Sequence, residues 1–167
     1  VIDERKKKKI NVIKIKKISS ENHFKNIASA AIVLLTLILS ACNTNPEPIE
    51  YGKNACDYCK MIMMDERFGA ELINTKGKIF KFDSDECMLA FLKAHKKEKF
   101  SKYLVINYEK PGELIEAETA FYLYGGNIKS PMGGNLAAFK TKASVDEYHK
   151  KLNGEILTWN EVTALNF

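Results

Sequence analysis

Sulfur is concentrated in one short stretch of this chain. Cys56-Asp57-Tyr58-Cys59-Lys60-Met61-Ile62-Met63-Met64 places five sulfur atoms in nine residues. Thiolate and thioether are soft, polarisable donors, and soft donors favour copper(I) over hard cations. A thioether needs no deprotonation, so methionine still ligates where a thiol is protonated or lost. The Cys56-x-x-Cys59 pair alone has three readings: half of a zinc site, a redox dithiol, or one side of a soft-metal clasp. Zinc normally takes four ligands, from two such pairs or from Cys plus His, and the sequence holds no second CxxC. A redox pair usually accompanies a thioredoxin-like strand–helix pattern, whereas this one lies at the start of the patterned region with more sulfur behind it.

Two further sulfur sites follow, Cys87-Met88 and Met132 within Ser130-Pro131-Met132-Gly133-Gly134. A loop methionine between proline and glycine is poorly placed for a core role, which favours ligation. The candidate metal ligands are therefore Cys56, Cys59, Met61 and Met132, with Met63, Cys87, Met88 and His95 as a second group. Within that second group, gap-filling is expected of Met63, and helical spacing puts Cys87 and Met88 in the core. His95 closes an apolar helical face, His149 sits on a polar helix among Tyr148, Lys150 and Lys151, and Asp83 or Ser84 reads as a helix cap. No Ser/His/Asp arrangement, phosphate loop or carboxylate pair is present, so no catalytic residues are expected and the chain reads as a non-enzyme.

These donors need elements to hold them. Arg67–Ile73 and Lys78–Phe82 read as strands joined by the Asn74-Thr75-Lys76-Gly77 turn. A helix is expected over 84–97, with Met88, Phe91, Leu92 and His95 on one face. Tyr103–Tyr108, Leu114–Ile115, Ala120–Tyr124 and Leu136–Lys140 read as further strands. Ser144-x-x-Glu147 reads as a capping box opening a second helix that ends at Asn153-Gly154, and Glu155–Trp159 as the last strand. Strand–helix–strand thus occurs twice, over 78–106 and 136–159. The expected class is α+β, with antiparallel strands and two helices.

The N-terminus reads as an address. Ile27–Leu39 is an apolar run of 13 residues behind a basic segment, short for a membrane span of about 20 residues and suited to an export signal. Leu39-Ser40-Ala41-Cys42 resembles a bacterial lipobox, which implies that Cys42 is acylated. The expected organisation is a lipoprotein signal over 1–41, a flexible lipid-anchored tether over 42–54, and a folded domain over 55–167. The net charge of +5 belongs to the first segment: residues 42–167 carry 17 basic and 18 acidic side chains. A near-neutral body exerts no general pull on a phosphate backbone, so no nucleic-acid partner is expected.

CxxCxM behind a lipoprotein signal, then Phe82-Asp83-(x)3-Cys87-Met88, then Pro131-Met132-Gly133 with Phe139 soon after, resembles the NosL family, accessory lipoproteins of nitrous oxide reductase. The resemblance spans roughly 55–160. It implies a monomeric copper(I) metallochaperone facing the periplasm from a lipid anchor in the cell envelope. It further implies partnership with nitrous oxide reductase and a membrane ABC-type assembly complex, supplying the copper–sulfide centre, and a fold of two small ββαβ modules related to treble-clef domains. Cys56, Cys59 and Met61 match the family's CxxCxM, and Met132 its PMG methionine. Lys60 departs from the small glycine common at its position. Two other readings of the residues stand beside this one: a membrane-tethered thiol–disulfide oxidoreductase using Cys56 and Cys59, and a structural lipoprotein with the CxxC as a staple.

Overall fold

The computed structural model describes residues 45–167. The signal segment with His23, and the acylation expected at Cys42, lie outside the described residues. Seven strands run β1 (Ala70–Asn74), β2 (Ile79–Phe82), β3 (Phe100–Ile106), β4 (Leu114–Glu116), β5 (Phe121–Tyr124), β6 (Leu136–Phe139) and β7 (Glu155–Thr158). Three helices are α1 (Asp85–Ala94), α2 (Lys142–Leu152) and α3 (Trp159–Ala164). No helix among the described residues is long and apolar enough to cross a membrane.

The strands form two antiparallel sheets ordered β2-β1-β3-β4 and β6-β5-β7. Their wiring repeats: the first strand of each half lies in the middle, its hairpin partner flanks one side, and the strand after the helix flanks the other. The structure thus contains the two ββαβ modules expected. Helix α1 packs on β1 and β2 and reaches β6 of the other sheet, while α2 covers β5, β6 and β7.

Local chemistry explains the boundaries. Every residue of β1 is buried, as a central strand covered on both faces requires, whereas β2 alternates. The β1–β2 turn is closed by Asn74, whose Oδ1 accepts from the N–H groups of Lys76 and Lys78 at 3.0 and 2.8 Å. The strand expected to end at Tyr108 leaves its sheet after Ile106. Tyr108 N–H donates instead to Ala138 O at 2.8 Å, beside a parallel bridge between Asn107 and Ala138 that joins the two sheets.

Of the two expected caps of α1, Ser84 is the one used: its hydroxyl accepts from Cys87 N–H at 3.4 Å. Three expectations are corrected. The helix then stops at Ala94, because His95 leaves helical geometry. Helix α2 starts at Lys142 under Thr141, whose hydroxyl accepts from Ser144 N–H at 3.1 Å, and Glu147 pairs with Lys151 instead of closing a capping box. Among the described residues there are three helices rather than two. Trp159, expected to end the last strand, opens α3, where Glu161 accepts from both N–H and hydroxyl of Thr158 at 2.7 and 2.6 Å.

Contacts with the domain also begin before Ala55. Glu47 N–H donates to the buried carboxylate of Glu71 at 3.2 Å, and Lys81 Nζ donates to Pro48 O at 2.9 Å. Tyr51 hydroxyl donates to Phe68 O at 2.6 Å. Gly69 makes that approach possible, since a Cβ there would lie 2.9 Å from the Tyr51 oxygen.

Candidate metal centre

Cys56 and Cys59 lie on a tight turn before β1. An antiparallel bridge between Ala55 and Ile62 closes it, and Cys56 N–H donates to Met61 O at 2.8 Å. Asp57 fastens the turn to the sheet: its N–H donates to Lys81 O at 2.8 Å, and its Oδ2 accepts from Lys81 N–H at 2.9 Å. Lys60 turns the chain with φ +65°, a left-handed conformation that glycine adopts without strain. Its N–H donates to Cys56 O at 3.0 Å, and its ammonium folds back onto Asp57 O. Cys87 arrives from the first turn of α1. Two thiols from the turn and one from the helix start, separated in sequence by the β1–β2 hairpin, converge so that the three Sγ atoms lie within 4.8 Å of one another. All three are free thiols.

A metal–sulfur bond of about 2.3 Å in a planar three-coordinate arrangement separates the sulfurs by about 4.0 Å. The three thiols can reach such a geometry by small side-chain adjustments. Among the described residues no histidine or carboxylate joins them to complete a tetrahedral zinc set.

The thiols are not equivalent. Cys56 is fully buried, yet its thiol is pulled down to about 5. The largest cause is the hydrogen bond it receives from the Cys87 thiol. Burial opposes this, and the backbone N–H groups of Asp83, Cys59 and Tyr58 add to it. Cys87 is pushed far up by donating that hydrogen bond, then by burial and by the Cys56 charge. Cys59 is raised chiefly by burial. The shared hydrogen bond therefore favours the thiolate at Cys56 and the protonated thiol at Cys87. Asp83, buried beside it, is raised to about 6 by burial and then by the Cys56 charge.

The other candidate donors divide. Met132 lies on the loop between β5 and β6 and lines a cavity of about 250 Å³ with Cys87, Tyr58, Glu86 and Phe167. Met61 belongs to the same turn as the thiols, and its side chain is 55% exposed. Met63 and Met88 are completely buried and pack in the main hydrophobic cluster. His95 lies at the far end of α1. Its ring stacks on Phe91 at 3.8 Å, and its Nδ1 bonds Phe91 O at 2.9 Å. It borders a different cavity, with Asp57, Lys78 and Glu98, and so stands apart from the thiol group.

Among the described residues, the exposed large apolar side chains are Tyr58, Met61, Ile62, Met64, Met132 and Phe167. Four come from the cysteine turn and its continuation. The other two share the cavity with Cys87. Sequence reasoning did not single out Glu86, whose carboxylate lies under the Met132 loop. Asp85 and Glu86 both lie in the first turn of α1, where acids are an ordinary feature, and no local signal marks Glu86.

Comparison with known proteins bears on this centre. A family model described as NosL matches residues 48–166. The copper-binding lipoprotein NosL of Stutzerimonas stutzeri is 26% identical over 145 residues, covering 78% of this chain and 76% of that protein. The crystal structure of the copper chaperone NosL from Shewanella denitrificans superposes with a TM-score of 0.62 at 19% identity, over 72% of this chain and 97% of that one.

Proposed function

The chain belongs to the NosL family, and from that premise we propose that it is a copper(I) carrier, not an enzyme, that accepts and hands on a single ion at its three-thiol centre. One observation carries the reading: Cys56, Cys59 and Cys87 place three soft donors within 4.8 Å of one another, and among the described residues no histidine nitrogen or carboxylate oxygen joins them as a fourth donor. Copper(I) accepts two or three sulfur donors, whereas structural zinc sites close with four. The cargo is copper in its reduced state, held on these thiols, with the Met61 and Met132 thioethers as alternative soft donors that replace a thiol as the ion enters or leaves. Met63 and Met88, packed in the main hydrophobic cluster, and His95, bordering a different cavity, are left outside the proposed ligand set.

Transfer proceeds by ligand exchange. A sulfur or nitrogen donor of the recipient forms a bond to copper as the Cys59 sulfur, the least buried of the three, lets go and takes a proton from water; further donors of the recipient then displace the Cys87 and Cys56 sulfurs in the same way. The ion remains copper(I) throughout, so no electron moves. The apolar rim of Tyr58, Met61, Ile62, Met64 and Met132 gives a recipient a surface to seat on while the exchange occurs. The recipient in this proposal is the maturation system of nitrous oxide reductase, with its membrane ABC-type assembly complex. The carrier works as a monomer, held at the membrane by a lipid on Cys42 and facing the periplasm. A thiol–disulfide oxidoreductase needs its low-pKa thiolate at the surface to attack a substrate; here the thiolate is Cys56, which is fully buried.

The test is anaerobic competition of the reduced domain against a copper(I)-specific chromophoric chelator, with zinc(II) in parallel. Retention of one copper(I) per chain, weakened by Cys59→Ser and unmatched by zinc, is expected. Failure to hold copper(I) against the chelator, or tighter binding of zinc, would overturn the reading.

A further inference from the structure

The loop carrying Met132 is tied to the helix carrying Cys87 through one side chain. Glu86 precedes Cys87 on α1 and is 3% exposed. Its Oε1 accepts from Ser130 Oγ at 2.5 Å and from Leu136 N–H at 3.1 Å. These two partners bracket the stretch that holds Met132. Ser130 in turn closes the loop on itself: its Oγ accepts from Asn135 N–H at 2.8 Å, and its carbonyl accepts from Gly133 N–H at 3.0 Å. Gly134 lies directly on the carboxylate, where a Cβ would fall 2.4 Å from Glu86 Cγ and 2.8 Å from Oε1. Space therefore requires a glycine at 134. Glu86 Oε2 has no protein partner among the described residues, so the carboxylate's hydrogen bonds to protein run entirely to the loop.

The consequence is a fixed relation between two donors from different modules. Met132 stands on the second sheet's loop and Cys87 on the first module's helix, yet both line one cavity. Without the tie, a Pro- and Gly-flanked loop with an exposed methionine has little to hold it in one place. We infer that Glu86 is a positioning residue for copper exchange, fixing the Ser130–Leu136 loop on α1 so that the Met132 thioether is held beside the thiol that α1 supplies. The inference rests on the carrier reading above. It predicts that the contribution of Met132 depends on Glu86, which a merely structural staple does not require.

A double-mutant cycle separates the two. Copper(I) affinity and the rate of release to the chelator are measured for the unaltered domain, Met132→Leu, Glu86→Ala, Glu86→Gln and the double variant Glu86→Ala/Met132→Leu, each with its thermal midpoint. Met132→Leu and Glu86→Ala are each expected to weaken retention about tenfold, and the double variant to be no worse than Met132→Leu alone. Glu86→Gln keeps an oxygen that can accept both loop bonds and is expected to retain the wild-type value. Additive losses, or a Glu86→Ala variant that binds and releases copper like the wild type, would overturn the inference. If Met132→Leu has no effect while Cys59→Ser abolishes binding, positioning fails and the carrier reading stands. If Cys59→Ser is also silent, both fail. Should Glu86→Ala not fold, Ser130→Ala removes one loop bond and leaves the carboxylate, and the same non-additivity with Met132→Leu is required of it.

Discussion

Replacing Cys87 by alanine should change the acidity of a different residue. The Cys87 thiol donates the hydrogen bond that does most to hold the Cys56 sulfur as thiolate, bringing it to about 5 from an ordinary value of 9.0. In Cys87→Ala that donor is gone. Burial, the opposing influence, remains, and the three backbone N–H groups offset it in part. The Cys56 midpoint should therefore rise by several units, toward 9. Each unit above the working pH costs about 1.36 kcal/mol to remove the proton before copper can bind. At pH ~7 a midpoint back at the ordinary ~9 lowers affinity by a factor of about 100. That loss adds to the loss of the third donor, and it should shrink as pH rises toward 9. The assay is a pH titration of the metal-free reduced domain, followed by ultraviolet thiolate absorbance. The wild type should show one thiolate forming near pH ~5, and the variant none below pH ~8. A variant that still titrates near ~5 would refute the reasoning, because Cys56 would then owe its acidity to the backbone N–H groups and not to its neighbour.

Other expectations follow from the same geometry. Glu71, buried in β1, is raised to about 7 from 4.5 by burial. The unfolded chain then releases this proton first as pH rises, so Glu71 erodes stability between about 4.5 and 7. The stability difference between wild type and Glu71→Gln, from urea denaturation across that window, should shift in favour of the variant as pH rises; a flat difference would contradict this. Lys60→Gly relieves a left-handed backbone worth about 1–2 kcal/mol and costs about 0.5–1 kcal/mol in chain entropy. Its thermal midpoint should equal or exceed the wild type's, and a clear drop would count against the strain argument. Met88→Ala empties a fully buried position and should cost about 2–5 kcal/mol. Met64→Ala, at a 70% exposed site, should stay within about 0.5 kcal/mol in the same denaturation experiment.

Much of the fold was legible because its signals are local. The Asn74–Gly77 turn, the alternation of Ile79–Phe82, and the acids opening α1 each act over a few residues. The sequence failed where a distant group decided the outcome. Tyr108 continues a strand-like run, but its N–H is claimed by Ala138 of the other sheet. Ser144-x-x-Glu147 has the spacing of a capping box, yet Thr141 already supplies the hydroxyl and Lys151 takes the glutamate. The true box, Thr158-x-x-Glu161, was hidden because Trp159 looks like the end of a strand. At the centre, CxxC announced its own chemistry, while the place of Cys87 depended on how the hairpin folds α1 back over the turn. Residues 46–54, with two prolines among them, read as tether, and only the buried Glu71 and the carbonyl of Phe68 explain why they are held.

The distribution of the methionines has a consequence for durability. Met63 and Met88 are sealed in the core, whereas Met61, Met64 and Met132 stand on the surface around the thiols. An oxidant arriving from solvent meets these three thioethers and the partly open Cys59 before it reaches Cys56 or Cys87. Conversion to sulfoxide makes a methionine polar and is reversed by dedicated reductases, while overoxidised thiols are largely beyond repair. Ageing under oxidative stress should therefore be graded: the rim loses its grease and its soft donors first, in a form the cell can restore, and the buried pair of sulfurs is consumed last.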